Sequence, residues 1–320
     1  MSRIVVTGGA GRLGRSLVAG LAAAGHELVS LDRAVSDAAE LTDVMQIAVD
    51  LTDRDAAAHA IADARADALV HLAAIAVPFS APEDVILRTN AVLALNVLSA
   101  GVAAGVPKIV TASSPTVVGY GAPTGWLPDR FPIDEETSPR PWNTYGLSKH
   151  LAEQTIAMLA RQTGDATRFA AFRPCYVIAP EEWAGAPTQQ GHTVRERLDD
   201  PALAAPSLFN YVDARDVATF VDVLLGALPA IPNAEVFFVG ADDALAREPL
   251  AELIPRFVPG SDELAAVLTG TAPAFSNAKA RRVLGWRPEH SWRDELAAAD
   301  PLDPRKDVLA GTSTASSSSR

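Results

Sequence analysis

Short, continuous apolar runs separated by helix-type stretches dominate the first half of the chain. The runs lie at 3–7, 26–32, 45–50, 68–74, 108–114 and 168–174, and stretches between them, such as 13–24 and 145–163, show helical spacing. Apolar runs without polar alternation are typical of strands buried on both faces, and their alternation with helices favours a parallel sheet. We therefore predict an α/β fold built on a doubly wound parallel sheet.

A glycine-rich loop, VTGGAGRLGRSL, joins the first apolar run to the first helical stretch. It carries Gly8, Gly11 and Gly14 in the pattern G-x-x-G-x-x-G. Gly8 permits a tight turn, Gly11 lets the backbone approach a pyrophosphate, and Gly14 lets helix and strand pack closely. The first turn of the helix, with Arg12 and Leu13, would then offer free N–H groups to the phosphates. In this context the loop predicts a Rossmann-type dinucleotide-binding site.

The second and third apolar runs each end at an aspartate. A carboxylate at Asp32 can accept both ribose hydroxyls of NAD and repels the 2′-phosphate of NADP, so NAD is the predicted cofactor. Arg33 follows directly and could accept the 2′-phosphate, so NADP remains an alternative cofactor. Asp50, with Leu51, either borders the adenine or caps the helical stretch that begins at residue 54.

The pattern changes after Pro174. Residues 179–210 are rich in Pro, Gly, Gln and charge, 235–240 is one more apolar run, and 249–257 and 262–268 have the spacing of short helices. We predict that 1–175 is mainly an NAD-binding Rossmann domain, with a strand and helix contributed from 205–240. Residues 176–300 are then mainly a smaller substrate-binding part, and the low-complexity end, 301–320, a flexible tail.

The composition is typical of a globular protein and excludes several functional classes. Of 320 residues, 48% are hydrophobic and 21% charged, and the formal charge of −12 disfavours nucleic-acid binding, which needs basic surface. No apolar run approaches the roughly 18 residues of a membrane span, so no membrane partner is expected. One cysteine, Cys175, fits a reducing cytoplasm. The six histidines are scattered, so we expect no metal cluster, and we interpret Cys175 and His71 as core residues.

Six further segments carry a resemblance to a known family. They are HLAA at 71–74, SSPTVVG at 113–119, YGLSK at 145–149, RP at 173–174, YVDARDVA at 211–218 and KARRVLGWRP at 279–288. With the glycine loop, these segments make the chain similar to the extended short-chain dehydrogenase/reductase family, in its NAD-dependent epimerase/dehydratase branch, over about residues 3 to 290. The resemblance implies hydride transfer at a carbinol carbon of a sugar or sugar-like molecule. It also implies further cofactor contacts from Leu72, Ala73, Ala74, Asn90, Tyr145, Lys149 and Pro174.

Ser114, Tyr145 and Lys149 are the predicted catalytic residues. A free Tyr has a pKa near ~10 and is a poor base at neutral pH, whereas a nearby ammonium favours the phenolate and lowers that pKa. Lys149, one helical turn after Tyr145, is placed to do this and to hold the nicotinamide ribose. Ser114 is expected to hydrogen-bond the reacting oxygen. Three neighbours are candidate substrate contacts: Ser113, Thr116 and Tyr176.

Some of these residues have ordinary structural alternatives. Asn90 is implied by the resemblance to prop the catalytic helix, but it is equally typical of a polar residue in a helix facing a strand. The segment PEEW at 180–183 either lines the substrate pocket or only starts a helix. Helices around 86–104 and 145–163 pair across a two-fold axis in the resembled family, which implies a homodimer; packing on the sheet is the alternative.

Departures from the family pattern narrow the reaction. The family's dehydratases carry Asp-Glu directly after the catalytic hydroxyl residue, where this chain has Pro115-Thr116, so dehydration is disfavoured. Tyr176 replaces an Asn that contacts the diphosphate in many nucleotide-sugar epimerases, and the basic residue usual shortly before Y-V-D is missing. Other arginines remain as phosphate ligands: Arg195, Arg197 and Arg287.

Three functions therefore stay open. The first is an epimerase that keeps its NAD bound. The second is a uronate- or aldose-type dehydrogenase, or a reductase of a small carbonyl compound, with an exchanging cofactor. The third is a non-catalytic NAD-sensing protein, which is disfavoured because the Tyr and the Lys are both present.

Overall fold

The computed structural model of the protein describes residues 1–299. Within them lie nine strands: β1 (Arg3–Thr7), β2 (Glu27–Asp32), β3 (Met45–Ala48), β4 (Ala68–His71), β5 (Lys108–Ala112), β6 (Arg168–Pro174), β7 (Val177–Ile178), β8 (Val212–Asp213) and β9 (Glu235–Val239). The same residues form twelve α-helices: α1 (Arg12–Ala23), α2 (Arg54–Ala64), α3 (Glu83–Ala103), α4 (Thr144–Thr163), α5 (Pro180–Trp183), α6 (Val194–Asp199), α7 (Pro201–Ala204), α8 (Ala214–Ala227), α9 (Leu250–Phe257), α10 (Asp262–Ala265), α11 (Ala278–Leu284) and α12 (Trp292–Ala299). The tail predicted at 301–320 lies outside the described residues.

Seven strands form one parallel sheet in the order β3-β2-β1-β4-β5-β6-β9. The chain runs outward from β1 to β3 and then returns to β4 on the other side of β1. The loops after β1 and β4 therefore diverge and leave a crevice at the carboxyl edge of the sheet. The prediction of a doubly wound parallel sheet is confirmed. The small parallel sheet of β7 and β8 was not predicted, because strands of two residues leave no periodic pattern.

Helices cover both faces of the sheet. In β1, Ile4 and Val6 pack into the core beneath α1 and α8, whereas Val5 packs into the core beneath α2, α3 and α4. Both sets are fully buried, which explains why the strand sequences are continuously apolar. Each such side chain stabilises the fold by roughly 1.5–3 kcal/mol through loss of contact with water. The second half of the chain also contributes to this architecture, because β9 extends the sheet and α8 covers one of its faces.

The apolar runs predict where strands occur but overrun some of their ends. β3 ends at Ala48 and β4 at His71, so the predicted site residues Asp50 and 72–74 lie in the loops just beyond. Helix α2 is capped by Asp53, whose carboxylate accepts hydrogen bonds from two backbone N–H groups of the first turn at 2.9 and 3.0 Å. The alternative that Asp50 caps this helix is therefore wrong.

Helix α3 is longer and more apolar than expected from the sequence, in which no apolar run approached the length of a membrane span. Its 21 residues include an 18-residue window of mean hydropathy 1.6, so it is long and apolar enough to cross a membrane by length and composition alone. It packs against α2 and α4, and 44% of that window is buried. A central helix that covers a sheet has the same composition, because one of its faces must be apolar.

Candidate active site

A cleft of about 930 Å³ opens at the carboxyl edge of the sheet. It is lined by residues from the loops that follow β1 to β6. The predicted site residues on its wall are Gly8, Gly11, Arg12, Leu13, Gly14, Asp32, Arg33, Asp50, Leu51, Leu72, Ala73, Ala74, Ser113, Ser114, Thr116, Tyr145, Lys149, Pro174 and Tyr176. Asn90 lies behind the wall. Residues scattered over most of the chain thus meet in one place.

The glycine loop forms one end of the cleft. Gly8 has a φ of +74°, and a side chain there would place its Cβ only 2.8 Å from the backbone nitrogen of Ala73. At Gly14 a Cβ would lie 2.1 Å from the carbonyl oxygen of Gly8. Helix α1 begins directly after Gly11, which supplies no side-chain cap. The first N–H groups of α1 therefore remain available to an anionic ligand.

Asp32 stands beside this loop at the end of β2. Its carboxylate accepts hydrogen bonds from the backbone N–H of Ala10 at 3.2 Å and of Arg33 at 2.7 Å. Asp50 lies on the same wall, and hydrogen bonds from the hydroxyl and the N–H of Thr52 hold the pKa of its carboxyl below the usual range. Two carboxylates therefore face the part of the cleft where the adenosine half of a dinucleotide is expected.

Tyr145 and Ser114 meet where α4 begins and β5 ends. The side chain of Asn143 caps α4 by accepting a hydrogen bond from the N–H of Gly146 at 2.8 Å, which places Tyr145 in the first turn. The hydroxyl of Ser114 accepts a hydrogen bond from the hydroxyl of Thr116 at 2.9 Å, and it lies close enough to the hydroxyl of Tyr145 to lower its pKa. The two predicted catalytic hydroxyls thus lie near each other on the wall of the cleft.

Lys149 lies one turn further along α4 and is buried beside them. Its ammonium donates to the carbonyl oxygen of Ala112 at 3.0 Å and lies 5.8 Å from the ring centre of Tyr145. Burial lowers the pKa of Lys149 to about 8. Burial raises the pKa of Tyr145 to about 12, and the hydrogen bond with Ser114 acts against that rise. The lowering of the pKa of Tyr145 by Lys149 that the sequence predicts is therefore not seen.

A buried ion pair beneath the catalytic residues was not predicted. Arg173 of β6 donates to both carboxylate oxygens of Glu153 in α4, at 2.7 and 2.9 Å, and Ser113 donates to the same carboxylate at 2.6 Å. Burial alone would raise the pKa of Glu153, but the hydrogen bonds from Arg173 and its other neighbours lower it to about 2. The pair ties α4 to the ends of β5 and β6, and it occupies the hydroxyl of Ser113.

Asn90 connects two parts of the wall from behind. Its side-chain amide pairs with both the N–H and the carbonyl of Ile75, at 2.8 and 3.1 Å, and donates to the hydroxyl of Ser148 at 3.1 Å. Ser148 in turn donates to the carbonyl oxygen of Tyr145 at 2.7 Å. Asn90 therefore holds the loop after β4 against the first turn of α4.

His71 and Cys175 are both buried, as expected of core residues. The ring of His71 hydrogen-bonds the hydroxyl of Thr7 at 2.8 Å. Burial, and then the charge of Lys149, lower its pKa to about 3, so its ring is neutral. Burial raises the pKa of the Cys175 thiol well above its usual range, so the thiol stays protonated and a poor nucleophile.

Several lining residues were missed because no local motif marks them. They come from the loop 75–79, from α3, from the segment between β5 and α4 and from the segment between β7 and β8, and they include Tyr120, Trp142, Gln189, Gln190, Ser207 and Asn210. The segment PEEW forms the short helix α5, and its Glu182 pairs with Arg12 and lies outside the lining. The three arginines left as phosphate ligands, Arg195, Arg197 and Arg287, also lie outside the lining.

The sheet, the glycine loop at its switch point and the Ser–Tyr–Lys cluster define a Rossmann-type protein of the short-chain dehydrogenase/reductase class. The sequence profile of the NAD dependent epimerase/dehydratase family matches residues 4–240. The chain belongs to this family.

Known proteins similar to this chain differ in their activities. A UDP-glucose 4-epimerase of Azospirillum brasilense is 34% identical over 163 residues, which cover 48% of this chain and 43% of the relative. A uronate dehydrogenase of Agrobacterium fabrum is 31% identical over 175 residues, covering 55% and 62%. The chain thus spans about half the length of the curated relatives it matches.

A solved structure shares the fold over almost the whole chain. It is a short-chain dehydrogenase/reductase superfamily protein from Agrobacterium tumefaciens with bound NAD. The two structures match with a TM-score of 0.68 and 24% identity, over 96% of this chain and 98% of the other.

Proposed function

We propose that the protein is an NAD-dependent enzyme that transfers a hydride at a carbinol carbon of a sugar or sugar-like substrate, with Tyr145 as the acid/base. The observation that carries this proposal is that Tyr145, Ser114 and Lys149 come together on the wall of a cleft that the glycine loop also lines. A phenol, a hydroxyl and an ammonium in one buried cluster can exchange a proton with a bound alcohol and hold its oxygen.

The residues at the other end of the cleft fit a dinucleotide. The N–H groups at the start of α1 would hold the pyrophosphate, and Asp32 would hold the adenosine ribose. The loop 72–74 would contact the part of the dinucleotide that lies between these two groups. Lys149 would hold the nicotinamide ribose. When bound, oxidised NAD supplies the acceptor for the hydride.

The chain's own residues would manage the proton. Tyr145 would take the proton of the carbinol hydroxyl during oxidation and return it during reduction, while Ser114 holds the oxygen. Because burial raises the pKa of Tyr145 to about 12, the phenol is protonated at neutral pH. The ammonium of Lys149 favours the phenolate more strongly once water leaves the cleft, since screening then weakens.

Elimination of water is disfavoured by the residues beside Ser114. Pro115 and Thr116 supply no carboxyl group, and the hydroxyl of Thr116 donates a hydrogen bond to the hydroxyl of Ser114. Relatives named as a UDP-glucose epimerase and as a uronate dehydrogenase support a sugar derivative as the substrate. They also leave two versions of the reaction: epimerisation with retained NAD, or dehydrogenation with an exchanging cofactor.

The first experiment is a screen of UDP-sugars, uronates and hydroxy-ketones with added NAD⁺, followed at 340 nm. Stoichiometric NADH in solution supports a dehydrogenase with an exchanging cofactor. A C4 epimer that forms without net NADH supports an epimerase. A protein that is not stabilised thermally by either NAD⁺ or NADH would contradict the proposal, and NAD⁺ binding without any turnover would favour the sensing protein.

A further inference from the structure

The part of the cleft beyond Tyr145, which we call the substrate end, is uncharged. Its apolar residues are the loop 75–79 and Trp142, and its polar side chains include Gln190, Ser207 and Asn210. These groups can hydrogen-bond hydroxyls and cover an apolar surface, but they supply no counter-charge to an anion. A phosphate or carboxylate bound there would lose its hydration without gaining an ionic partner, which is strongly unfavourable.

The positively charged side chains of the cleft belong to the cofactor-binding and catalytic parts of the proposed site. Within residues 1–299, those that line it are Arg12, Arg33 and Lys149. Arg12 belongs to the glycine loop and is paired with Glu182, and it also donates to the carbonyl oxygen of Val177 at 2.7 Å. Arg33 follows the ribose site, and Lys149 belongs to the catalytic cluster.

Arg197 lies behind the wall, and its guanidinium is already engaged by lining residues. Its guanidinium is 1% exposed, donates to the side chains of Gln190 at 2.5 Å and Ser207 at 3.2 Å, and stacks 4.2 Å from the ring centre of Tyr176. Because the side-chain oxygen of Gln190 accepts from Arg197, the amide NH₂ group is left free to donate to a ligand. Arg197 therefore orients a neutral donor at the cleft wall.

Two aromatic residues that line the cleft, Phe79 and Trp142, form a tilted ring pair. The rings of Phe79 and Trp142 lie 5.6 Å apart, and the residues remain 60% and 38% exposed. The indole N–H of Trp142 donates to the carbonyl oxygen of Tyr120 at 2.9 Å, which fixes its ring. Phe79 has a φ of +62°, a conformation that strains a bulky residue. Strain kept at the rim of a site, with an exposed ring, points to contact with a ligand.

We propose that the substrate end accepts an uncharged sugar-like alcohol that carries an apolar ring or chain, and that Phe79 and Trp142 contact this apolar group. Gln190 and Asn210 would bind hydroxyls of the same molecule. A nucleoside-diphosphate sugar is disfavoured, because its two phosphates meet uncharged groups. The inference rests on the proposed hydride transfer and narrows its substrate class.

The test compares four ligands by calorimetry with the protein saturated with NAD⁺: phenyl β-D-glucoside, methyl β-D-glucoside, phenyl β-D-glucuronide and UDP-glucose. We expect the phenyl glucoside to bind roughly tenfold more tightly than the methyl glucoside, through contact with the aromatic pair. The glucuronide differs by one carboxylate, and it and UDP-glucose should each bind at least about tenfold more weakly than the phenyl glucoside.

Variants assign the ring preference to the aromatic pair. Trp142→Ala should abolish the advantage of the phenyl group. Phe79→Gly should abolish it too while raising the melting temperature, because glycine relieves the positive φ; a purely structural Phe79 would not give this combination. Phe257→Ala, which removes a ring of similar exposure (39%) outside the cleft, should keep the advantage.

Three results would overturn the inference: UDP-glucose binding as tightly as the phenyl glucoside, equal binding of the phenyl and methyl glucosides, or no binding of either. Tight UDP-glucose binding that is lost in Arg197→Gln would assign Arg197 to phosphate instead. These are equilibrium measurements and need no turnover. Failure of NAD⁺ to bind would count against the proposed function rather than against the substrate class.

Discussion

Burial acts in opposite directions on the two titrating residues of the catalytic cluster. It raises the pKa of Tyr145 to about 12 and lowers that of Lys149 to about 8, because each neutral form is favoured away from water. At neutral pH the phenol is therefore protonated, and the ammonium is close to the pH at which it loses its proton. In the proposed mechanism Tyr145 gives up its proton, so the activity should depend on the charge of Lys149, which favours the phenolate.

Replacing Lys149 by Met should show this dependence. Without the cation the pKa of Tyr145 in the complex stays high, so alcohol oxidation should fall by roughly 10²–10⁴ at pH 7 and recover only as the pH is raised. In the wild type, kcat/KM should stop rising near pH 8, where Lys149 loses its proton. Lys149→Arg keeps the charge and should keep more of the activity. A Lys149→Met profile that matches the wild type would contradict this role.

Asp32 gives a second prediction at the residue scale. Asp32→Asn keeps the shape of the side chain but removes the charge that repels a 2′-phosphate and accepts ribose hydroxyls. Affinity for NAD⁺ should fall roughly tenfold and affinity for NADP⁺ should rise relative to it. Calorimetry with both dinucleotides measures the ratio. An unchanged ratio would mean that Asp32 does not select the cofactor.

Helix α4 is held in place at three points around Tyr145. Asn143 caps its start, Asn90 contacts Ser148, and Glu153 pairs with Arg173 across the sheet edge. The residues of α4 and its cap that make these contacts, Asn143, Ser148 and Glu153, all lie within ten residues of Tyr145. The position of the phenol therefore depends on contacts from α3 and β6 as well as on its own helix.

The Glu153–Arg173 pair should make the free energy of unfolding fall as the pH is lowered into the acid range. The pKa of Glu153 is about 2 in the folded protein, below its ordinary value of 4.5, so its stabilising contribution is complete above pH 4.5 and is lost as the pH falls toward 2. Glu153→Gln leaves Arg173 buried and unpaired, which should cost about 3–5 kcal/mol at pH 7. Urea unfolding at pH 7, 4 and 3 should show the two proteins converging at the two acidic pH values, which lie below 4.5.

An exposed ion pair serves as the matched control. Glu248 pairs with Arg256 at the surface, and Glu248→Gln should change stability little at any of these pH values, because solvent screens such pairs. If Glu153→Gln behaves like Glu248→Gln, the buried pair does not stabilise the fold as described.

Local patterns in the sequence predict the elements better than the contacts between them. The glycine loop, Asp32 and the strands of the sheet follow from patterns within a few neighbouring residues. Trp142, Gln190 and Asn210 come from segments that meet only after the chain has folded, and their types are common in loops. The buried pair of Glu153 and Arg173 was missed for the same reason. Arg173 belongs to the RP segment at the end of a predicted strand, but nothing in the sequence places Glu153 of α4 beside it.

At the scale of the molecule, α3 and α4 leave apolar side chains uncovered. The exposed members are Val92, Leu95, Leu147, Leu151 and Met158, each 36–48% accessible. These two helices pack against each other, so their outer faces form a continuous apolar surface. We propose that a second copy of the chain covers this surface in a homodimer, because two such helix pairs can bury it symmetrically.

A charge on this surface should separate the subunits. Leu151→Asp would bury a carboxylate in the proposed interface, so it should elute as a monomer of 33.5 kDa while the wild type elutes at twice that mass. Val267→Asp alters an equally apolar residue that is 61% exposed elsewhere and should remain dimeric. Light scattering that gives a monomer for the wild type would refute the dimer.

The proposed hydride transfer is tested most directly by Tyr145→Phe, assayed with NAD⁺ and the best substrate from the screen. The variant loses one hydroxyl and keeps the ring, so it should fold, bind NAD⁺ as the wild type does and lose about 10²–10⁴ in kcat/KM at pH 7. Turnover equal to that of the wild type, with NAD⁺ binding intact, would contradict the assignment of Tyr145 as the acid/base.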